Sequence, residues 1–142
     1  MVSPIPRDNT SPELLTKADI VVHLAGENRP IEESSFAEVN TDLTLELCKA
    51  IRAEFLKTGR KISLILASST QAEIKNPYGL SKLGAEKAVY SYLKDVECSV
   101  SIFRLPGVFG KWSKPKYNSV VATFCHNIAR DIPIQINDPS SP

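Results

Sequence analysis

The sequence is short of several things, and each shortage narrows what the protein can be. Only three of its 142 residues are cysteine: Cys48, Cys98 and Cys125. An odd number at wide spacing offers neither a disulfide framework nor a zinc site. Cys125 and His126 are adjacent, but no other Cys or His lies near them in sequence. A metal site needs three or four converging ligands, so no metal is expected. The thiols read as buried and reduced, as in a cytoplasmic protein. Charge of one sign is also lacking. The formal net charge is +1, so no strong field favours nucleic acid or a membrane surface. The apolar runs are too short to span a bilayer. The opening stretch MVSPIPRDNTSPELL lacks the apolar core of a secretory signal. Glycine is sparse, at six residues, and neither Gly-x-Gly-x-x-Gly nor Gly-x-x-Gly-x-x-Gly occurs.

What remains is a globular composition, 42% hydrophobic and 23% charged, in a chain long enough for one domain with a real core. Three apolar runs read as strands. ADIVVHLAG (18–26) and KISLILASST (61–70) have the length and β-branching of buried parallel strands, and CSVSIFRLPGVFG (98–110) is closed by Pro106 and Gly107. Helices lie between them. Ser35 and Glu38 have the spacing of a capping box. Phe36, Val39, Leu43, Leu47 and Ile51 then recur at helical intervals up to Gly59. A second helix starts at Asn76-Pro77, a cap followed by a residue suited to the first turn. It carries Leu80, Leu83, Val89 and Leu93 and stops near Asp95. A third helix is expected from about Ser119 to Arg130, and IPIQI (132–136) as one more short strand. Alternating strands and helices predict a parallel α/β sheet with right-handed crossovers. Ligands of such sheets sit beyond the carboxyl ends of the strands. Here those ends are Ala25-Gly26, Ser68-Ser69-Thr70 and Leu105-Pro106-Gly107.

The chain holds two Tyr-x-x-x-Lys pairs, Tyr78 with Lys82 and Tyr90 with Lys94. Either pair brings ring and ammonium together on a helix. Only Tyr78 stands in the first turn of its helix, soon after the strand ending in Ser69. Tyr90, three turns further on, reads as a packed or solvent-facing residue. A free phenol is a poor base at neutral pH, but a neighbouring ammonium favours the phenolate, and a tyrosine so placed can exchange a proton with a carbonyl or alcohol. A serine hydroxyl nearby can orient the carbonyl oxygen. Two further polar residues have a structural reading. Asn40 falls on the apolar face of its helix and must be hydrogen-bonded. His23, alone in mid-strand, reads as a satisfied core histidine.

The strand-end serines, PYGLSKLGAE and RLPGVFG together resemble the extended short-chain dehydrogenase/reductase family, with VVHLAG and FAEVNTDLT as its neighbouring strand and helix. The resemblance covers residues 18 to about 138 and treats 1–142 as part of one domain. It implies an incomplete Rossmann-like parallel sheet with flanking helices, in which the phosphate-binding βαβ unit is missing. HLAGENRP, SSTQA, NPYGLSKLGAE, RLPGVFGKW and YNSVVATFCHNIARD further resemble bacterial reductases of capsule and O-antigen sugar synthesis. Those act with NADPH on a UDP-linked 4-keto-6-deoxy-N-acetylhexosamine. By this resemblance Tyr78 is the proton donor. Lys82 holds the nicotinamide ribose and favours the phenolate. Ser69 is the catalytic hydroxyl and contacts substrate, with Ser68 and Thr70 as rivals at the same strand end. Leu24, Ala25 and Gly26 flank the cofactor, Leu105 and Pro106 lie against the nicotinamide, and Thr70 and Asn118 contact the substrate. The cofactor implied is NADP(H), with NAD(H) as the alternative.

The chain also departs from the family pattern. Gly107 stands where the family has an Asn, and the Gly-rich phosphate loop is absent, so the pyrophosphate has no evident cradle. The chain reads as an internal piece of a longer enzyme or as a truncated product, inactive alone. Three functions compete: a UDP-sugar reductase, a UDP-sugar epimerase, and a non-catalytic remnant or interaction module. A dehydratase is disfavoured, because Gln71 cannot serve as acid or base and Glu73 comes two residues too late. Gly84 and Ala88, small residues on the second helix, fit a homodimer.

Overall fold

The computed structural model describes residues 12–28, 32 and 35–136. Contacts divide the chain after Leu105. The first unit holds a short helix α1 (Pro12–Leu15), strand β1 (Ile20–His23), helix α2 (Leu43–Thr58), strand β2 (Ser63–Ser69), helix α3 (Pro77–Leu93) and strand β3 (Val100–Leu105). The second holds helix α4 (Val120–Ile128). No helix among the described residues is long and apolar enough to cross a membrane.

The three strands form one parallel sheet in the order β1-β2-β3, with Val21 opposite Leu64, Leu66 opposite Ile102 and Ser69 opposite Leu105. The strand order steps the same way twice. Right-handed crossovers therefore put α2 and α3 on the same face. That face holds the core: Val21, Leu64 and Leu66 of the sheet pack with Leu47, Cys48 and Ile51 of α2 and with Ala85, Val89 and Leu93 of α3. Completely burying a side chain such as Ile51 contributes about 1.5–3 kcal/mol. The opposite face differs from the expectation of doubly buried strands. Ile20, Val22 and Leu24 of β1 and its extension, and Phe103 of β3, are more than half exposed.

The helix entries follow from their sequences, with one surprise. Helix α3 is capped by Asn76, whose Oδ1 accepts from Gly79 N at 2.7 Å, with Pro77 in the first turn. Helix α2 ends at Gly59 (φ 73°), where the left-handed conformation favours glycine. The capping box at Ser35 does not mark a helix start, since Ser35 already lies in a helical turn. The segment Ala37–Asp42 is π-helical, with Leu43 N donating to Glu38 O. Periodicity alone does not reveal such a bulge. Within it Asn40 is buried, as is Thr44 one turn later in α2.

Other expectations need correction. Of the apolar residues that mark α3 in the sequence, Val89 and Leu93 are buried and Leu80 is exposed, and Ser81, Lys82, Ala85 and Glu86 complete the buried face. Gly84 packs inside the chain: a Cβ there would lie 2.6 Å from Thr41 Oγ1. Ala88 is buried. Cys48 is buried and its thiol is pushed up to about 12 by burial. Cys125, in contrast, is exposed.

In the second unit, Ser119 caps α4 by accepting from Ala122 N. Residues 132–136 are not a strand. Ile132 N donates to Asn127 O, Asn127 Nδ2 donates to Pro133 O, and Pro133 has no N–H to offer a sheet. The matched range to 138 and the closing NDPSSP run into residues 137–142, outside the described residues.

Candidate active site

The centre of interest is the first turn of α3. β2 ends at Ser69, whose side chain caps the 3-10 turn Thr70–Glu73 by accepting from Gln71 N at 3.2 Å. The chain then reverses into Asn76-Pro77-Tyr78. Gly79 makes this approach close: a Cβ on it would stand 2.2 Å from Gln71 O and 2.4 Å from Ile74 O. The glycine after Tyr78 therefore lets the helix start dock on the turn that Ser69 caps. The Tyr78 ring is half-buried and packs against Phe36, with centroids 5.6 Å apart.

Lys82 lies one turn further on, 7% exposed, with Nζ 5.8 Å from the centre of the Tyr78 ring. Burial holds its ammonium below the usual lysine range. Among the described residues it has one hydrogen bond, a long one of 3.5 Å to Ala67 O, and no carboxylate partner. A buried ammonium without an anion is costly, so such groups concentrate at functional sites. Gly26 lies against it: a Cβ there would fall 2.8 Å from Lys82 Nζ and 3.0 Å from Asn40 Oδ1. The missing side chain leaves the backbone after β1 pressed to the ammonium. A ribose bearing two hydroxyls fits such an under-used donor.

Asn40 ties these parts together. Its Oδ1 accepts from Glu27 N at 2.9 Å, and its Nδ2 donates to Glu27 O at 3.1 Å and to Ser81 Oγ at 2.9 Å. Ser81 Oγ in turn donates to Tyr78 O at 2.7 Å. The loop after β1 and the first turn of α3 thus share one amide. His23 is buried, and its Nε2 donates to Thr44 Oγ1, since the Thr44 proton goes to Asn40 O. Burial, reinforced by the Lys82 charge, pulls the ring down to about 4, so it is neutral near pH 7.

A second cluster at the strand tips joins residues that the sequence reading had not brought together. Ser68 Oγ donates to Glu86, and Arg104 grips the same carboxylate through Nε at 2.9 Å and Nη2 at 2.7 Å. Arg104 Nη1 also reaches Glu73 at 2.7 Å. The Arg104 hydrogen bond holds the Glu86 carboxyl below the usual range. The available signal was the spacing of Tyr78, Lys82 and Glu86, four residues apart on one stripe of α3.

The remaining candidates divide between the two units. Leu24 is exposed, Ala25 half-buried and Thr70 exposed in the 3-10 turn. Leu105 is paired opposite Ser69 at the tip of β3. Pro106 and Asn118 belong to the second unit. There Asn118, Val108, Trp112, Lys114 and Tyr117 line a cleft of about 470 Å³. At Gly107, in place of the family's Asn, a Cβ would meet no atom of the described residues within 4 Å. No group of three or more His, Cys, Asp or Glu among the described residues could hold a metal.

A parallel sheet flanked by helices, with the Tyr78–Lys82 helix at its carboxyl edge, defines a class by fold, the Rossmann-like α/β proteins. The chain belongs to the NAD dependent epimerase/dehydratase family, which residues 7–141 match. It is 55% identical over 130 residues to UDP-2-acetamido-2,6-beta-L-arabino-hexul-4-ose reductase of Pseudomonas aeruginosa, covering 92% of this chain and 34% of that protein. The chain thus spans about a third of that relative's length. Among solved structures it resembles the capsular polysaccharide assembling protein CapF of Staphylococcus aureus, with 41% identity and a TM-score of 0.68 over 95% of this chain and 36% of that one. The UDP-glucuronic acid 4-epimerase of Bacillus cereus, in complex with NAD, shares the fold at 22% identity, with a TM-score of 0.72 over 91% of this chain and 44% of that one.

Proposed function

We propose that the chain carries the reacting centre of an enzyme that uses NADPH to reduce the 4-keto group of a UDP-linked deoxy amino sugar for capsule or O-antigen synthesis in the cytoplasm. One observation carries this reading: a buried, carboxylate-free Lys82 beneath Tyr78, docked through Gly79 on the turn that Ser69 caps. When bound, the nicotinamide supplies the hydride. Ser69 Oγ accepts from Gln71 N, so its own proton is available for a keto oxygen, whereas the Ser68 proton is committed to Glu86. Tyr78 delivers a proton to the oxygen as it becomes an alcohol. Lys82 holds ribose hydroxyls and favours the phenolate that Tyr78 leaves behind. The 55% identity to a UDP-keto-sugar reductase supports the substrate class.

Epimerase chemistry is the second reading, favoured only by the shared fold. Dehydration fits less well: Gln71 accepts a hydrogen bond from Asn76 Nδ2, and Glu73 is paired with Arg104. The test follows nicotinamide absorbance while UDP-4-keto-6-deoxy-N-acetylhexosamines are added to the full-length protein carrying this chain. Stoichiometric oxidation of NADPH is expected. Interconversion of UDP-hexoses with the cofactor retained would give the case to the epimerase. The 142-residue chain alone, lacking a Gly-rich phosphate turn, is expected to bind NADPH weakly. Calorimetric titration checks this, and a micromolar or tighter dissociation constant would reveal a phosphate site of another kind.

A further inference from the structure

We propose that Glu86 and Arg104 are a positioning pair: together they fix the Ser68–Ser69 strand end and the 70–73 turn against α3, and so hold the Ser69 hydroxyl in register with Tyr78. This rests on the reading of Ser69, Tyr78 and Lys82 as the reacting centre.

Three elements meet in one guanidinium. Arg104 extends from the tip of β3, where it is the register partner of Ser68. Its fork takes both oxygens of Glu86 on α3, and its remaining nitrogen takes Glu73 in the turn after Ser69. Ser68 completes the set from β2 by donating to Glu86. Glu86 lies on the same stripe as Tyr78 and Lys82. The pair therefore anchors one end of the stripe to both strand tips, with Tyr78 at the other end.

The energetics separate this pair from the other four described ion pairs. Those all place their acid at the surface, with 60–93% of the side chain exposed, but the Glu86 side chain is 5% exposed. Only the acid of this pair is buried, the Arg104 side chain being 37% exposed, and an ion pair that desolvates a carboxylate gives little net stability over a well-packed apolar contact. What the planar fork gives that a hydrocarbon contact does not is direction. Sliding α3 along the strand tips would break both fork bonds and the Ser68 bond together. Misplacing reacting groups by about 1 Å can cost roughly a hundredfold in rate, so directional anchoring bears on turnover more than on folding.

The test compares R104K, the double variant R104M/E86M and Y78F in the full-length protein carrying this chain, measuring kcat, KM and melting temperature. R104K keeps the charge but loses the fork, and kcat should fall about tenfold or more with KM nearly unchanged. R104M/E86M removes both charges, so it should melt close to wild type without regaining kcat. Wild-type kcat in the double variant, or kcat losses that merely track lost folded protein in both variants, would mean the pair is structural only. Y78F keeps the readings apart: full activity in Y78F would sink the assignment of the reacting centre, whereas an inactive Y78F beside an active double variant would sink the positioning role alone.

Discussion

The two ends of α3 carry the same Tyr-x-x-x-Lys motif in opposite surroundings. Tyr78 is half-buried on Phe36, and Lys82 is sunk beneath it against Gly26. Tyr90 is 67% exposed and Lys94 is an exposed residue at the helix end. Twelve residues separate the tyrosines, about three and a third turns, so the second pair is rotated roughly 120° around the helix from the first. Spacing makes a Tyr-Lys pair, and helix phase decides whether it faces the strand tips or water.

Exchange of function between the two ends would break that comparison. The largest effect is expected from Tyr78→Phe in the full-length protein, which keeps the ring and removes the proton donor. Turnover should fall on the order of a hundredfold or more, measured by NADPH oxidation. Next comes Lys82→Met, which should lower both the rate and the cofactor affinity, read from kcat and from calorimetric titration. A change in only one of these would separate the two roles given to the ammonium.

Stability measurements sharpen the same contrast. Gly79→Ala forces a Cβ onto two backbone oxygens and should cost about 3 kcal/mol in urea unfolding. His23 offers a pH signature. Its folded value of about 4 lies below the unfolded 6.5, so between these values the unfolded chain binds the proton and the folded chain does not. Stability should therefore fall as pH drops from about 6.5 to about 4, by at most roughly 3 kcal/mol, and level off below. Denaturant midpoints across that range should show the slope, and His23→Gln should remove it. Smallest of all, Tyr90→Phe should leave turnover unchanged and alter stability by no more than about 0.5 kcal/mol.

Much of this was legible in the sequence for identifiable reasons. Ser63–Ser69 and Val100–Leu105 stand out as apolar runs, and Asn76, Gly59 and Ser119 punctuate the helices as their side-chain chemistry dictates. The Tyr78–Lys82 juxtaposition was legible because its signal, an i to i+4 spacing on one helix, is local. The π-helical turn escaped because one extra residue in a helix leaves no compositional mark. The Ser68–Glu86–Arg104 cluster escaped because its members are 18 residues apart along the chain and meet only once the strands pair. Of the apolar residues that mark α3 in the sequence, Val89 and Leu93 face inward and Leu80 does not, while the polar Lys82 and Glu86 take inward positions that apolar spacing alone does not reveal.

The uncovered face of the sheet also bears on how much of the protein a cell can keep. Ile20 and Val22 lie on a strand at the edge of the sheet, with Phe103 two strands away on the same open side. A parallel sheet is normally shielded on both faces, and a bare apolar edge is a template for unwanted strand pairing. Wherever these residues lack a cover, chaperones and proteases compete with self-association for the chain. Abundance would then fail before catalysis does, and a charged substitution at Val22 would raise the soluble yield of the isolated chain while leaving Tyr78 and Lys82 in place.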